Sequence, residues 1–126
     1  MSALGRLQAS RLTSIWFENL PVEELPYLSA KNLPNLRILR LARLHKLKSL
    51  AFLVGLSDVL DELALIELKV EDISQLVALH NLRDLALSNM SIRNIEPLAG
   101  LRGLRRLRLR NTGVTDLSAV RGLSGL

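Results

Sequence analysis

Residues 79–100 read LHNLRDLALSNMSIRNIEPLAG, with apolar side chains at Leu79, Leu82, Leu85, Leu87, Met90, Ile92, Ile95 and Leu98. The next 22 residues repeat the pattern as Leu101, Leu104, Leu107, Leu109, Val114, Leu117 and Val120. Upstream, Leu60, Leu63, Leu65, Leu68, Val70, Ile73 and Leu76 match, with one extra residue between Leu56 and Leu60. Leu33, Leu36, Leu39, Leu41, Leu44, Leu47, Leu50 and Leu53 form an earlier copy, with one extra residue after Leu44. The first copy is Leu12, Ile15, Phe17, Leu20, Val22, Leu25 and Leu28. A fixed period of this size is the signature of a solenoid, and a solenoid offers a surface for binding more often than a site for chemistry.

Inside each copy, L-x-x-L-x-L alternates apolar and variable residues with the period of a strand. Leu85 and Leu87 share one face, while Asp84, Ala86 and Ser88 take the other. The second half of each copy spaces its apolar residues by three, which suits a short 3₁₀ or irregular turn. Pro97 fits a first turn there and would not fit a central strand. One strand and one return turn cannot bury their own leucines, so the copies must stack. Strands about 4.8 Å apart against bulkier turns bend the stack, with the sheet on the inside of the curve.

These residues resemble the leucine-rich repeat pattern L-x-x-L-x-x-L-x-L-x-x-N-x-I. The variety most similar is the roughly 22-residue class seen in bacterial internalins and in eukaryotic phosphatase-regulating and spliceosomal repeat proteins. Segments 94–98, 115–120 and 71–76 look like that class's return turn. The resemblance implies an α/β repeat fold, a leucine-rich repeat solenoid of five repeats. It has a curved parallel sheet on the concave face and short 3₁₀ or irregular turns on the convex face. The expected boundaries are a partial turn or cap at 1–8, repeats at 9–32, 33–55, 56–78, 79–100 and 101–122, and a truncated sixth at 123–126. One departure from the family is visible. Its inward Asn is replaced by Leu20, Leu44, Leu68, Met90 and Thr112, so other backbone or water partners must satisfy the loops. Asn89 and Asn111, next to that position, fit turn chemistry.

Charge is unevenly placed. The net charge is +5, yet residues 1–100 hold 11 basic and 11 acidic side chains. The excess is the run Arg102, Arg105, Arg106, Arg108, Arg110 and Arg121 against Asp116. Arg37, Arg40, Arg43, Lys46 and Lys48 crowd one repeat, and Asp58, Asp61, Glu62, Glu67, Glu71 and Asp72 crowd the next. Register sets Arg37 beside Asp61 and Arg43 beside Glu67, as cross-strand pairs that fix stacking order. Asp84 falls beside Arg106 and neutralises part of the arginine edge.

The family usually binds on its concave face. The resemblance therefore nominates Trp16, Ile38, Arg40, Glu62, Ile66, Asp84, Arg106, Arg108 and Arg110 as partner-contacting residues. An aromatic, arginines and exposed aliphatics on adjacent strands are favoured hot-spot types, whereas isolated apolar residues on a surface are ordinary. The expected function is a non-enzymatic protein-interaction module or scaffold. One rival is a ribonucleoprotein subunit facing RNA with its terminal arginines, although no aromatics interleave them. The other is a secreted or surface recognition fragment. Catalytic, cofactor and metal sites are not expected. His45 and His80 occupy non-equivalent positions without a recognisable carboxylate partner, and no phosphate-loop or dinucleotide motif is present. The chain has no cysteine, and no apolar run approaches the roughly 20 residues of a membrane span. The expectation is a cytoplasmic or nuclear protein. Solenoid ends need caps, and Leu123 and Leu126 begin a copy without one. Either further repeats or a partner, including a second copy, are expected to cover that edge.

Overall fold

The computed structural model describes residues 11–126, so the cap expected at 1–8 lies outside the described residues. Among the described residues there are five strands: β1 (Ser14–Glu18), β2 (Ile38–Ala42), β3 (Glu62–Ile66), β4 (Asp84–Ser88) and β5 (Arg106–Arg110). They form one parallel sheet in chain order. Each strand is five residues long because L-x-L supplies only two inward side chains before the chain must turn. Register is exact from copy to copy, with Leu39, Leu63, Leu85 and Leu107 aligned, and Leu41, Leu65, Leu87 and Leu109 beside them. A slip by one residue would carry these leucines to the solvent face, which is why the pattern specifies the pairing so strongly.

The return turns carry 3₁₀ segments at Ala51–Leu56, Ser74–Ala78, Glu96–Leu98 and Ser118–Val120. In the first repeat the return is irregular, closed by a Leu28 N–H donating to the Leu25 carbonyl at 3.2 Å. Between sheet and turns lies a continuous leucine core. Leu36, Leu39, Leu41, Leu50, Leu53, Leu56, Leu60, Leu65, Leu76, Leu79, Leu82, Leu85 and Leu87 are wholly buried. Each such side chain contributes about 1.5–3 kcal/mol of burial.

The ends differ from the middle. Ile15 and Phe17 in β1, and Leu107 and Leu109 in β5, are only half-buried because edge strands have one neighbour among the described residues. Leu12 and Leu20, expected inward, are 40% and 37% exposed for the same reason. Leu117 is 56% exposed although its counterpart Ile95 is 2% exposed.

Where the family's inward Asn is missing, Leu44, Leu68 and Met90 are buried and Thr112 joins them. Backbone groups meet each other instead. Asn19, Arg43, Glu67 and Asn89 donate their N–H groups to the last carbonyls of the following strands, on Ala42, Ile66, Ser88 and Arg110. The Ile92 N–H donates to the Thr112 carbonyl at 2.9 Å. The residue just past every strand, Asn19, Arg43, Glu67, Asn89 and Asn111, has φ between 52° and 58°. This left-handed conformation costs most side chains about 1–2 kcal/mol and Asn less. Asn111 also donates its Nδ2 to the Asn89 Oδ1 at 2.9 Å. Replacing Asn111 with Val should therefore lower unfolding free energy by about 2 kcal/mol in a urea titration.

A second device opens the return turns. Ser49 accepts from the Ala51 N–H, Asp72 from Ser74, Asn94 from Glu96 and Asp116 from Ser118, at 2.9–3.0 Å. The backbone N–H of Ser74, then its hydroxyl, holds the Asp72 carboxyl below its usual pKa; Ser118 does the same to Asp116. A carboxyl whose pKa is depressed on folding adds stability above its unfolded pKa, near 3.9, and loses it as pH falls through the lower folded value. Thermal melts between pH 7 and pH 2 should show that acid loss diminished in the Asp72→Asn, Asp116→Asn double variant. Asn94 already fills the same role without a charge.

Candidate functional site

The outward residues of the strands stand in three columns. Register places Ser14, Ile38, Glu62, Asp84 and Arg106 in the first, and Trp16, Arg40, Ala64, Ala86 and Arg108 in the second. Glu18, Ala42, Ile66, Ser88 and Arg110 form the third. All five strands line a single open groove of about 800 Å³, with Trp16 and Arg40 at one end and Arg106, Arg108 and Arg110 at the other. Each of the nine residues nominated from the sequence borders this groove. Trp16 is 61% exposed; Arg40, Arg106, Arg108 and Arg110 are exposed, and Ile38, Glu62, Ile66 and Asp84 are half-buried.

The floor is what the nomination left out. Ala64 and Ala86 occupy the middle of the second column, so only small side chains floor the groove between Arg40 and Arg108. Their small size was readable, but small residues are not usual hot-spot types. Ala42 departs from its expected outward exposure and is 3% exposed. Its methyl lies in register between the longer side chains of Glu18 and Ile66.

The ion pairs also differ from expectation in part. Arg106 Nη1 does lie 3.3 Å from Asp84 Oδ2. Arg43, however, pairs with Glu18 and donates to Asn19 Oδ1 at 3.1 Å, leaving Glu67 to His45. Asp61 lies 4.0 Å from Arg83 and makes no ion pair with Arg37. Each charged residue in a solenoid has two neighbours, one per adjacent repeat, and sequence spacing cannot choose between them. Each histidine does have a carboxylate partner. His45 Nε2 is 3.1 Å from Glu67 Oε2, and His80 Nε2 is 3.1 Å from Asp58 Oδ1. Both partners sit 22 residues away, a full repeat, which was the signal available. All four side chains are well exposed, so the pairs are surface staples worth about 0–1 kcal/mol. Among the described residues no cluster of three or more His, Cys, Asp or Glu side chains could hold a metal.

An internalin (inlF) of Listeria monocytogenes superposes with a TM-score of 0.74 at 31% identity, covering 86% of this chain and 31% of that one. The fold is a leucine-rich repeat solenoid. Internalin C2 (inlC2) of the same organism superposes with a TM-score of 0.66 at 21% identity, over 93% of this chain and 60% of its own. The solenoid thus spans about a third of the first neighbour's length and three-fifths of the second's. No protein-family model and no curated protein matches the chain. No helix among the described residues is long and apolar enough to cross a membrane.

Proposed function

We propose that this leucine-rich repeat solenoid is a non-enzymatic protein-interaction module that holds a protein partner on its concave face. The observation that carries the reading is the groove, to which every strand contributes and in which Trp16, Arg40, Ile66 and Arg108 surround an alanine floor. The five paired strands present the groove on one continuous, hydrogen-bonded platform. Rigidity matters because a backbone locked in register has little further freedom to lose on binding. Likeness to other leucine-rich repeat proteins supports the general role. A cytoplasmic or nuclear setting, in keeping with a chain without cysteine, is part of the same proposal.

The test compares two arginine insertions in affinity capture from the protein's own cells. Ala86→Arg fills the floor, whereas Val77→Arg alters an exposed position, 58% accessible, on the return turns. Binding of the captured partner should weaken about 100-fold for Ala86→Arg and remain within about twofold for Val77→Arg. Equal retention by both variants would refute concave-face binding.

A further inference from the structure

Pairing within the fold leaves a specific charge pattern in the groove. Asp84 neutralises Arg106, and Arg43 draws Glu18 out of play. Arg40, Arg108 and Arg110 make no ion pair among the described residues. Glu62, in the first column, makes none among them either. Arg40 and Arg108 lie in the second column on β2 and β5, three strand spacings or about 14 Å apart. Only Ala64 and Ala86 stand between them.

We propose that the concave groove selects an acidic segment of a protein partner, with carboxylates at both ends of a small apolar centre. This rests on the concave-face reading above and names the chemistry of the occupant. Free guanidinium groups hold carboxylates through paired, charge-assisted hydrogen bonds. Two carboxylate groups on an extended segment, four residues apart, span about 13 Å, which matches the separation of Arg40 and Arg108. The alanine floor and the half-buried Ile66 receive the apolar side chain between them. Glu62 repels the same segment from the first column and so sets its path along the second and third, where Arg110 reinforces Arg108. RNA fits less well. Among the described residues Trp16 is the only aromatic side chain lining the groove, which leaves bases little to stack upon.

The probe is a fluorescein-labelled peptide, Glu-Glu-Ala-Leu-Ala-Glu-Glu, titrated with the full chain and followed by anisotropy. The lysine counterpart and a ten-nucleotide oligouridylate serve as competitors. The acidic peptide should bind, and added salt should weaken it. Arg40→Glu and Arg108→Glu should each reduce its affinity about tenfold or more. Arg121→Glu makes the same change in net charge at an exposed position outside the groove, and should change affinity less than about twofold. Circular dichroism of each variant confirms that the fold is retained. No peptide binding, equal losses in all three variants, or tighter binding of oligouridylate would each overturn the proposal. If Ala86→Arg releases the captured partner while the acidic peptide fails to bind, the acidic preference is wrong and the concave site stands.

Discussion

Leu65→Ala is expected to destabilise the chain by about 3–5 kcal/mol, enough to unfold much of it at 37 °C. Leu65 is wholly buried in the central strand, in register between Leu41 and Leu87, which are also wholly buried. Truncating it removes a buried isobutyl group and leaves a cavity whose walls belong to three repeats. Stacked repeats contact only their neighbours, so a weakened middle repeat uncouples the two halves of the solenoid. The same substitution at Leu109 should cost only about 1–2 kcal/mol, because its half-buried side chain has less burial to lose. Urea titrations of the two variants measure the difference directly. Similar losses at both positions would contradict a core that thins from the middle repeat to the edge.

Ala64→Pro should be at least as damaging, by about 3 kcal/mol or more, although the side chain it replaces adds nothing to the core. Ala64 lies at the midpoint of β3, with strands hydrogen-bonded on both sides. Whichever neighbour its N–H serves, proline removes that bond and forces its ring against the adjacent strand. Ala64→Ser preserves the backbone and should shift stability by less than about 0.5 kcal/mol. Comparing far-ultraviolet circular dichroism melts of the two variants separates the backbone ladder from side-chain effects. A proline variant that melts like the serine variant would mean that β3 is not a central strand.

Both predictions rest on features that were visible in the chain itself. Period-two alternation within a period of 22–24 residues identified the inward leucines of the middle repeats, and Pro97 located a return turn. Other features were hidden for physical reasons. The left-handed residue after each strand is Asn at 19, 89 and 111 but Arg and Glu at 43 and 67, so residue type masks a backbone position common to all five. The capping oxygens come from Ser49, Asp72, Asn94 and Asp116, three residue types with one geometry. Arg43 had acidic neighbours on both sides, and only the structure shows that it turns to Glu18. Of the groove, the arginines and Trp16 stood out by type. The alanine floor gained its meaning only when the strands were laid side by side.

A photo-reactive benzoylphenylalanine replacing Trp16, compared with one at position 77, tests the concave-face site most directly. The first lines the groove and leaves its alanine floor open, and the second is exposed on the return turns. Irradiation in the cells that express the protein should give a discrete adduct with one protein partner from position 16 and none of that size from position 77. The same adduct from both positions, or from position 77 alone, would contradict the account.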